Sequence, residues 1–250
     1  MMRRSKLISL MIIISTFMLL STVTVSAKTV SEHEPNDSMG KANTFNIGDK
    51  VKGKIYKGKG HDEYDWFVFT APESGKICLD IQVPNPSGHE ANFDVYNDEF
   101  QELFSEKMGA GIKSPRCKGT IDVKCGKKYY ISVWEWYGDG NEYTFTTKYA
   151  IDKTKITKVK AKKTSAKVTW KKKNEASYYQ IRYASPSSYS RFGWTKGKTI
   201  KASRNTSSKT ITKLKKKHSY YVTVRVVRVV QGKTYYSGWS GKKLIKTKRK

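Results

Sequence analysis

Ser31-Glu-His-Glu-Pro-Asn-Asp-Ser38 places Glu32, Glu34, Asn36 and Asp37 within six residues. Hard oxygen ligands gathered this tightly repel one another unless something cationic sits among them. A plainer use is capping, in which Asn36-Asp-Ser38 closes a short turn over 37–43 while the glutamates stay solvated.

Aromatic residues give a second candidate. In Lys128-Tyr-Tyr-Ile-Ser-Val-Trp-Glu-Trp-Tyr137, Ile131 and Val133 facing inward would put Tyr130, Trp134 and Trp136 on the opposite side, with Tyr137 at the end. An exposed aromatic stripe suits a sugar ring or an extended peptide. Packing against a neighbouring domain is an equal alternative. Trp66 and Phe67, by contrast, read as strand core.

Lysine is the third. Runs occur at 158–163, 171–173, 215–217, 242–243 and 246–250, several of them in loops, and Lys215, Lys216 and Lys217 are taken as candidate contacts to a polyanion. Such cationic density attracts phosphate or sulfate polymers through counterion release, although solvation alone would also use it.

No catalytic constellation accompanies these groups. His33, His61, His89 and His218 stand in turns or junctions, without a nucleophile motif beside them. There is no Gly-rich phosphate loop and no zinc spacing. The expectation is a binding protein rather than an enzyme.

These groups need a scaffold, and the charge divides it. Residues 28–150 carry 16 Lys plus Arg against 19 Asp plus Glu, whereas residues 151–250 carry 30 against 2. That asymmetry predicts two domains, 28–150 and 151–250. Before them, Arg3, Arg4 and Lys6 precede an apolar stretch from Leu7 to about Val25 and the small residues Val25-Ser-Ala27. This reads as a secretory signal over 1–27, with an uncleaved anchor as the rival. No second apolar span follows, so the expected product is exported, and intracellular nucleic acid is not its partner.

Past residue 50 nearly every segment reads as strand. Val51–Ile55, Trp66–Phe69, Ile77–Ile81, Phe93–Tyr96, Thr120–Val123, Tyr130–Trp134 and Tyr143–Thr146 are separated by Gly, Pro and Asn turns. The second half supplies Ala166–Trp170, Tyr178–Tyr183, Thr199–Ala202, Thr210–Thr212, Tyr220–Val230 and Tyr235–Lys243. The pattern predicts an all-β chain of two tandem sandwiches. Cys78, Cys117 and Cys125 allow at most one bridge, Cys117–Cys125 or Cys78–Cys125, with buried reduced thiols as the alternative. Cys125 continues the alternation of Ile121 and Val123 and is expected to face inward.

Glu34-Pro-Asn-Asp-Ser38, Val51-Lys-Gly-Lys-Ile55, Tyr64-Asp-Trp-Phe-Val-Phe69, Lys128–Val133 and Glu142-Tyr-Thr-Phe145, in that order, resemble the bacterial pre-peptidase C-terminal (PPC) domain. Val168-Thr-Trp170, Tyr179–Tyr183, Leu214 six residues before Tyr220, and Gly238-Trp-Ser240 resemble a fibronectin type III domain. The resemblance implies a jelly-roll-like sandwich followed by an immunoglobulin-like one, both accessory modules. The first is also similar to the collagen-binding domains of clostridial collagenases, which hold calcium with an acidic segment and an Asp pair. That implies Ca2+ at Glu32, Glu34, Asn36 and Asp37, with Asp62 and Asp65 as the pair. Related sequences often space the two acids two apart, which would select Glu63 with Asp65. Calcium's demand for six to eight oxygens agrees with such a set. The partners this implies are an anionic envelope polymer, an extracellular polysaccharide or a matrix protein.

Overall fold

The computed structural model describes residues 28–55, 64–83, 91–108, 116–135, 142–190, 193–194 and 197–249. The expected signal, 1–27, lies outside the described residues, as do Asp62, Glu63, Trp136 and Tyr137.

Ten strands make the first unit: β1 (Thr29–Ser31), β2 (Asn43–Thr44), β3 (Lys50–Lys54), β4 (Tyr64–Thr70), β5 (Gly75–Gln82), β6 (Ala91–Asn97), β7 (Glu102–Met108), β8 (Arg116–Val123), β9 (Lys128–Glu135) and β10 (Glu142–Tyr149). They form two five-stranded sheets, β1-β3-β10-β5-β8 and β2-β4-β9-β6-β7. Only the edge pairs β1/β3 and β2/β4 run parallel. Alternation supplies the packing. Tyr143, Phe145, Thr147 and Tyr149 of β10 point inward, while Phe67 and Phe69 of β4 meet them from the other sheet. Their rings pack edge to face, Phe67 against Phe145 at 5.2 Å and Phe45 against Phe145 at 5.4 Å. Sequence periodicity did not disclose β7, because its glutamates and Lys107 leave no apolar alternation. It is an edge strand, where charge also blocks further pairing.

The same alternation corrects one expectation. Asp65, Phe67 and Phe69 share the inward face of β4, so Trp66 points outward. It is buried there by other rings, outside the sandwich core.

The second unit holds β11 (Ile156–Ala161), β12 (Ala166–Trp170), β13 (Tyr178–Ala184), β14 (Tyr189–Ser190), β15 (Gly193–Trp194), β16 (Lys198–Ser203), β17 (Ser208–Ile211), β18 (Ser219–Val230), β19 (Lys233–Tyr236) and β20 (Lys243–Lys246). One sheet is β11-β12-β17. The other is β16-β13-β18-β19, with β20 also paired to β18, and β14-β15 form a small ribbon. Trp170, Tyr179, Ile181, Val222, Val224, Val226 and Ile245 fill the space between the main sheets. Tyr220 accepts a 2.9 Å bond from the Lys215 amide, the corner expected of it.

Tyr235–Lys243 is not one strand. β19 stops at Tyr236, and the ladder continues through side chains: Val226 N donates to Ser237 Oγ at 2.9 Å and Val224 N to Ser240 Oγ at 3.0 Å. Two serine hydroxyls thus take the amides a continuous strand would have satisfied. This break turns Trp239 onto Arg225, whose guanidinium lies 4.5 Å from that ring and 4.0 Å from Tyr236.

The two units meet at the far end of β18. Val230 packs into the first core beside Tyr149 and Tyr235. Lys233 Nζ, 2.9 Å from Asp49 Oδ1, also donates to Ile47 O at 3.0 Å. Arg228 reaches Glu73 Oε2 at 2.7 Å and Ser74 O at 2.8 Å, with its guanidinium over the Tyr149 ring. Burial alone would raise the Asp49 carboxyl. The Lys233 hydrogen bond, the Asn46 amide and the Lys233 charge outweigh it and hold that carboxyl below its ordinary value.

Neither cysteine bridge forms. Cys78 and Cys125 are free thiols. β8 ends at Val123, so Cys125 falls in the turn beyond it and is exposed rather than inward; its thiol donates to Pro72 O at 3.2 Å. Among the described residues, no helix is long and apolar enough to cross a membrane.

Candidate functional site

The N-terminal segment runs from β1 onto the rim between the sheets. Glu32 N bonds to Lys52 O, continuing the β1/β3 ladder by one residue, and this aims the Glu32 side chain across β3. Its Oε1 accepts from the Lys54 amide at 2.6 Å. Farther on, Trp66 N donates to Asn36 O, which ties the segment to β4 beside Asp65. The result brings Glu32, Glu34 and Asp65 together, with one carboxylate oxygen from each within 4.8 Å of the others.

Tyr143 braces this group from β10. Its hydroxyl lies 2.7 Å from Asp65 Oδ2 and 3.0 Å from Glu32 Oε2. Room for it depends on Gly53, where a Cβ would collide with the Tyr143 ring and the Glu32 carboxylate. The glycine of Val51-Lys-Gly-Lys-Ile55 therefore marks a close side-chain approach within a strand. Sequence reading missed both residues. The isolated glycine in an otherwise alternating strand was the available signal.

Burial dominates the electrostatics. Asp65 is 2% exposed, and desolvation pushes its carboxyl up to about 8. The Tyr143 hydrogen bond opposes this rise, while the charges of Glu32 and Glu34 add to it. Glu32 is raised chiefly by burial, against hydrogen bonds from the Lys54 amide and Tyr143. Tyr143, buried beside two acids, is driven well above its ordinary value. Asn36 is fully buried, and its amide oxygen faces the Glu34 carboxylate, acceptor against acceptor. Turned end for end, its nitrogen would lie 3.3 Å and 3.0 Å from the two Glu34 oxygens.

Of the expected metal ligands, Glu32, Glu34 and Asp65 converge and Asn36 lies against Glu34. Asp37 goes elsewhere, its Oδ1 held 2.9 Å from Lys41 Nζ one turn on. That pairing follows from the short helical turn at Met39–Lys41, which puts the two side chains on one side. The converging donors are hard oxygens, the chemistry calcium requires.

The outer face of β4, β9 and β6 carries the aromatics. Trp134 stacks on Tyr64 at 5.5 Å and 30°, and Trp66 lies 5.6 Å from Tyr96. Tyr96 stacks on Phe100 at 4.8 Å and 4°. Asp94 orients the array, accepting from Trp134 Nε1 at 2.7 Å and Ser105 Oγ at 2.6 Å. Phe100, 59% exposed with φ +60°, stands on a turn whose amides at Glu99 and Gln101 both bond Asn97 Oδ1. Burial, with the charges of Asp94 and Glu102, pushes the Tyr96 hydroxyl up to about 12. Trp134 was expected on this face; Tyr64, Trp66, Tyr96 and Phe100 join it through strand register, which a single sequence does not reveal.

In the second unit Lys215, Lys216 and Lys217 are exposed in the turn before β18. Arg225 accompanies the ladder of Tyr236 and Trp239 and bonds Gln180 Oε1 at 2.7 Å.

No family model matches the chain, and no curated protein matches it in sequence. Solved structures similar in part include the pre-peptidase C-terminal domain of collagenase from Bacillus anthracis, 19% identical over 47% of this chain and all of that one, at TM-score 0.34. A two-domain fibronectin type III segment of chicken tenascin is 14% identical over 73% of this chain and 98% of its own, at TM-score 0.36. A myokine structure is 23% identical over 40% of this chain and 99% of its own, at TM-score 0.32. The first two are the kinds of module that the sequence motifs resemble. Matches of this strength speak neither to ligand nor to activity.

Proposed function

We propose that the chain is an exported, non-catalytic binding protein that attaches to extracellular or envelope polymers. The first sandwich is stabilised by calcium held at Glu32, Glu34 and Asp65, with Asn36 supplying a further oxygen. Asp37 would have to leave Lys41 to join, and Asp62 remains the pair's other member. Bound calcium supplies charge neutralisation, locking the N-terminal segment to β3 and β4. Its neighbouring aromatic face, with Trp134, offers flat apolar rings to a polysaccharide or matrix protein, and Trp136 and Tyr137, next in the sequence, are proposed to contribute to the same ligand. The second sandwich holds anionic glycopolymer.

The observation that carries this reading is the charge of the second unit, 30 basic residues against Asp152 and Glu175. Export leaves envelope polyanions as its counterpart. Co-sedimentation of residues 28–250 with purified cell wall, with and without its anionic polymers, tests the reading. The assay runs from about 50 to 500 mM salt, over which the screening length contracts to a few ångströms. Binding that needs the anionic polymer and falls linearly on a log–log salt plot is expected. Equal, salt-independent binding to both walls would sink the reading.

A second reading, a structural spacer or an accessory subunit of a secreted peptidase, draws support from the buried joint. Val230 inside the first core and the Asp49–Lys233 pair fix one module on the other, as a rigid spacer requires. A spacer would sediment with neither wall.

A further inference from the structure

Charge along the second unit is polarised. Its two acids, Asp152 and Glu175, both line the cleft at the joint with the first unit, beside Glu73 and Arg228. Residues 176–250 contain no acid at all. Following β18 from Val230 at the joint back to Tyr220 covers ten residues, about 33 Å at ~3.3 Å per residue. The opposite pole therefore carries cations without any counter-charge from its own module.

That pole contains a cavity of about 420 Å3, lined by Tyr183, Lys198, Lys213, Leu214, Lys215 and Tyr220 among others. Among the described residues, no carboxylate lines it. Its lysine loop is held rather than trailing. Lys215 N donates to Tyr220 Oη at 2.9 Å, Thr247 Oγ1 donates to Lys215 O at 2.7 Å, and His218 N donates to Thr247 Oγ1 at 2.8 Å. Leu214 N is tied to Thr164 O, and Thr247 is 7% exposed. Lys213 and Lys217 adopt φ of +58° and +50°, a left-handed conformation that costs a non-glycine residue free energy and persists only where the surroundings impose it. A loop fixed in this way loses little entropy when a ligand arrives.

We infer that this distal cavity binds a sugar or polyol unit carrying a phosphate group. The inference rests on the reading of the second unit as a polyanion module, and it replaces diffuse attraction with a defined recognition point. The Tyr183 and Tyr220 rings and Leu214 form the apolar wall that a sugar or polyol backbone needs. Lys198, Lys213 and Lys215 with His218 supply several donors, matching the multiple oxygens of a phosphate better than the two of a carboxylate. Ser185 and Ser188 add hydroxyls for the unit's own hydroxyls. Of Lys215, Lys216 and Lys217, only Lys215 lines the cavity, so the three lysines are not equivalent.

The test titrates glucose 1-phosphate into residues 28–250 by calorimetry at low salt, with glucose and glucuronate as comparison ligands. The Lys198→Gln/Lys215→Gln variant should bind glucose 1-phosphate at least tenfold more weakly than wild type. Lys171→Gln/Lys172→Gln, which removes the same charge from exposed positions outside the cavity lining, should change it less than twofold. Backbone amide shifts on the unaltered chain should cluster at 183–188 and 213–220, a readout independent of any variant. Equal weakening by the two variants, shifts scattered over all lysines, or no binding of glucose 1-phosphate would overturn the inference. Once glucose 1-phosphate binds, a poly(glycerol phosphate) chain tells whether internal diester units are taken as well as terminal monoesters, and its binding too should be lost with Lys198→Gln/Lys215→Gln. Wall co-sedimentation separates the two levels. If the wall still captures the wild type while glucose 1-phosphate does not bind, the cavity assignment falls and the broader reading stands.

Discussion

The two sandwiches treat like charges in opposite ways. The first brings three carboxylates within 4.8 Å and buries one of them to 2% exposure. The second carries 30 basic residues and, Arg228 and Lys233 at the joint apart, spreads those described over exposed and half-exposed loop and strand positions. Dispersed cations are stabilised by water and salt, so they need no partner for folding. Converged, desolvated carboxylates are not; they must take up protons or a cation. The contrast separates a converged charge arrangement from a dispersed one, and each is open to a different perturbation.

The joint between them should give the largest effect. Asp49 and Lys233 have side chains 3% and 13% exposed, so removing one member leaves the other buried without its partner. Lys233→Met should destabilise the chain by about 3 kcal/mol, in the range for breaking a buried pair, whereas Asp49→Asn/Lys233→Met should recover much of the loss. Chemical denaturation followed at the tryptophans measures both. A single-variant loss under about 1 kcal/mol, the value of an exposed pair, would show that the joint is solvated and the modules independent.

Calcium comes next. At 100 times its dissociation constant it should stabilise the first sandwich by about 2.7 kcal/mol, which is roughly 10 °C for a domain of this size. Calorimetry on residues 28–250 with calcium and with chelator reads the shift, and identical melting curves would remove calcium from the account. Glu34→Gln should shrink the difference, while Asp37→Asn should leave it nearly intact because Asp37 is engaged by Lys41.

The pH dependence sharpens the same point. A carboxyl raised in the folded state, as Asp65 is to about 8 and as Glu32 also is, favours folding while it is protonated. In chelator, stability should therefore fall as pH rises from the ordinary carboxylate range through about 8. Calcium binds the ionised form, so its stabilising effect should grow over that interval, with proton release on binding. Melting temperatures in chelator that stay flat between about pH 5 and 8 would mean that the carboxylates are more solvated than their burial implies.

Legibility differed between these regions for physical reasons. Alternation exposed most core strands, because burial on one face imposes a period of two, but it passed over β11 and β20, which bring Ile156 and Ile245 into the second core. It missed β7, whose Glu102, Glu106 and Lys107 sit at an edge where no alternation is required. It also ran Tyr235–Lys243 together, since nothing in that stretch announces that Ser237 and Ser240 will replace backbone acceptors. Glu32 and Glu34 were readable by type and spacing, and Asp65 through the family resemblance. Tyr143 and Gly53 were not, because their role depends on β3 and β10 lying side by side. Trp66 was misplaced by one strand face, and the register with β9 and β6 is what joins it to Trp134 and Tyr96.

The smallest effects belong to the lysines, and their inequality is informative. If capture were a matter of field alone, Lys215, Lys216 and Lys217 would be interchangeable, since all three are exposed on one turn. Each removed cation would then lower wall affinity by the same modest factor and reduce the salt slope by about 0.9 for each phosphate no longer neutralised. Charge reversal of all three should weaken wall binding several-fold in either case. Single Lys→Gln changes divide the cases. Lys216→Gln and Lys217→Gln should cost less than twofold, because those side chains do not line the distal cavity. Lys215→Gln should cost more, and part of its effect should survive at high salt, where diffuse attraction has been screened away but short hydrogen bonds to a bound phosphate persist. Three equal losses that vanish together as salt rises would place the second sandwich with the dispersed charges entirely, and would leave localised ion capture to the carboxylates of the first.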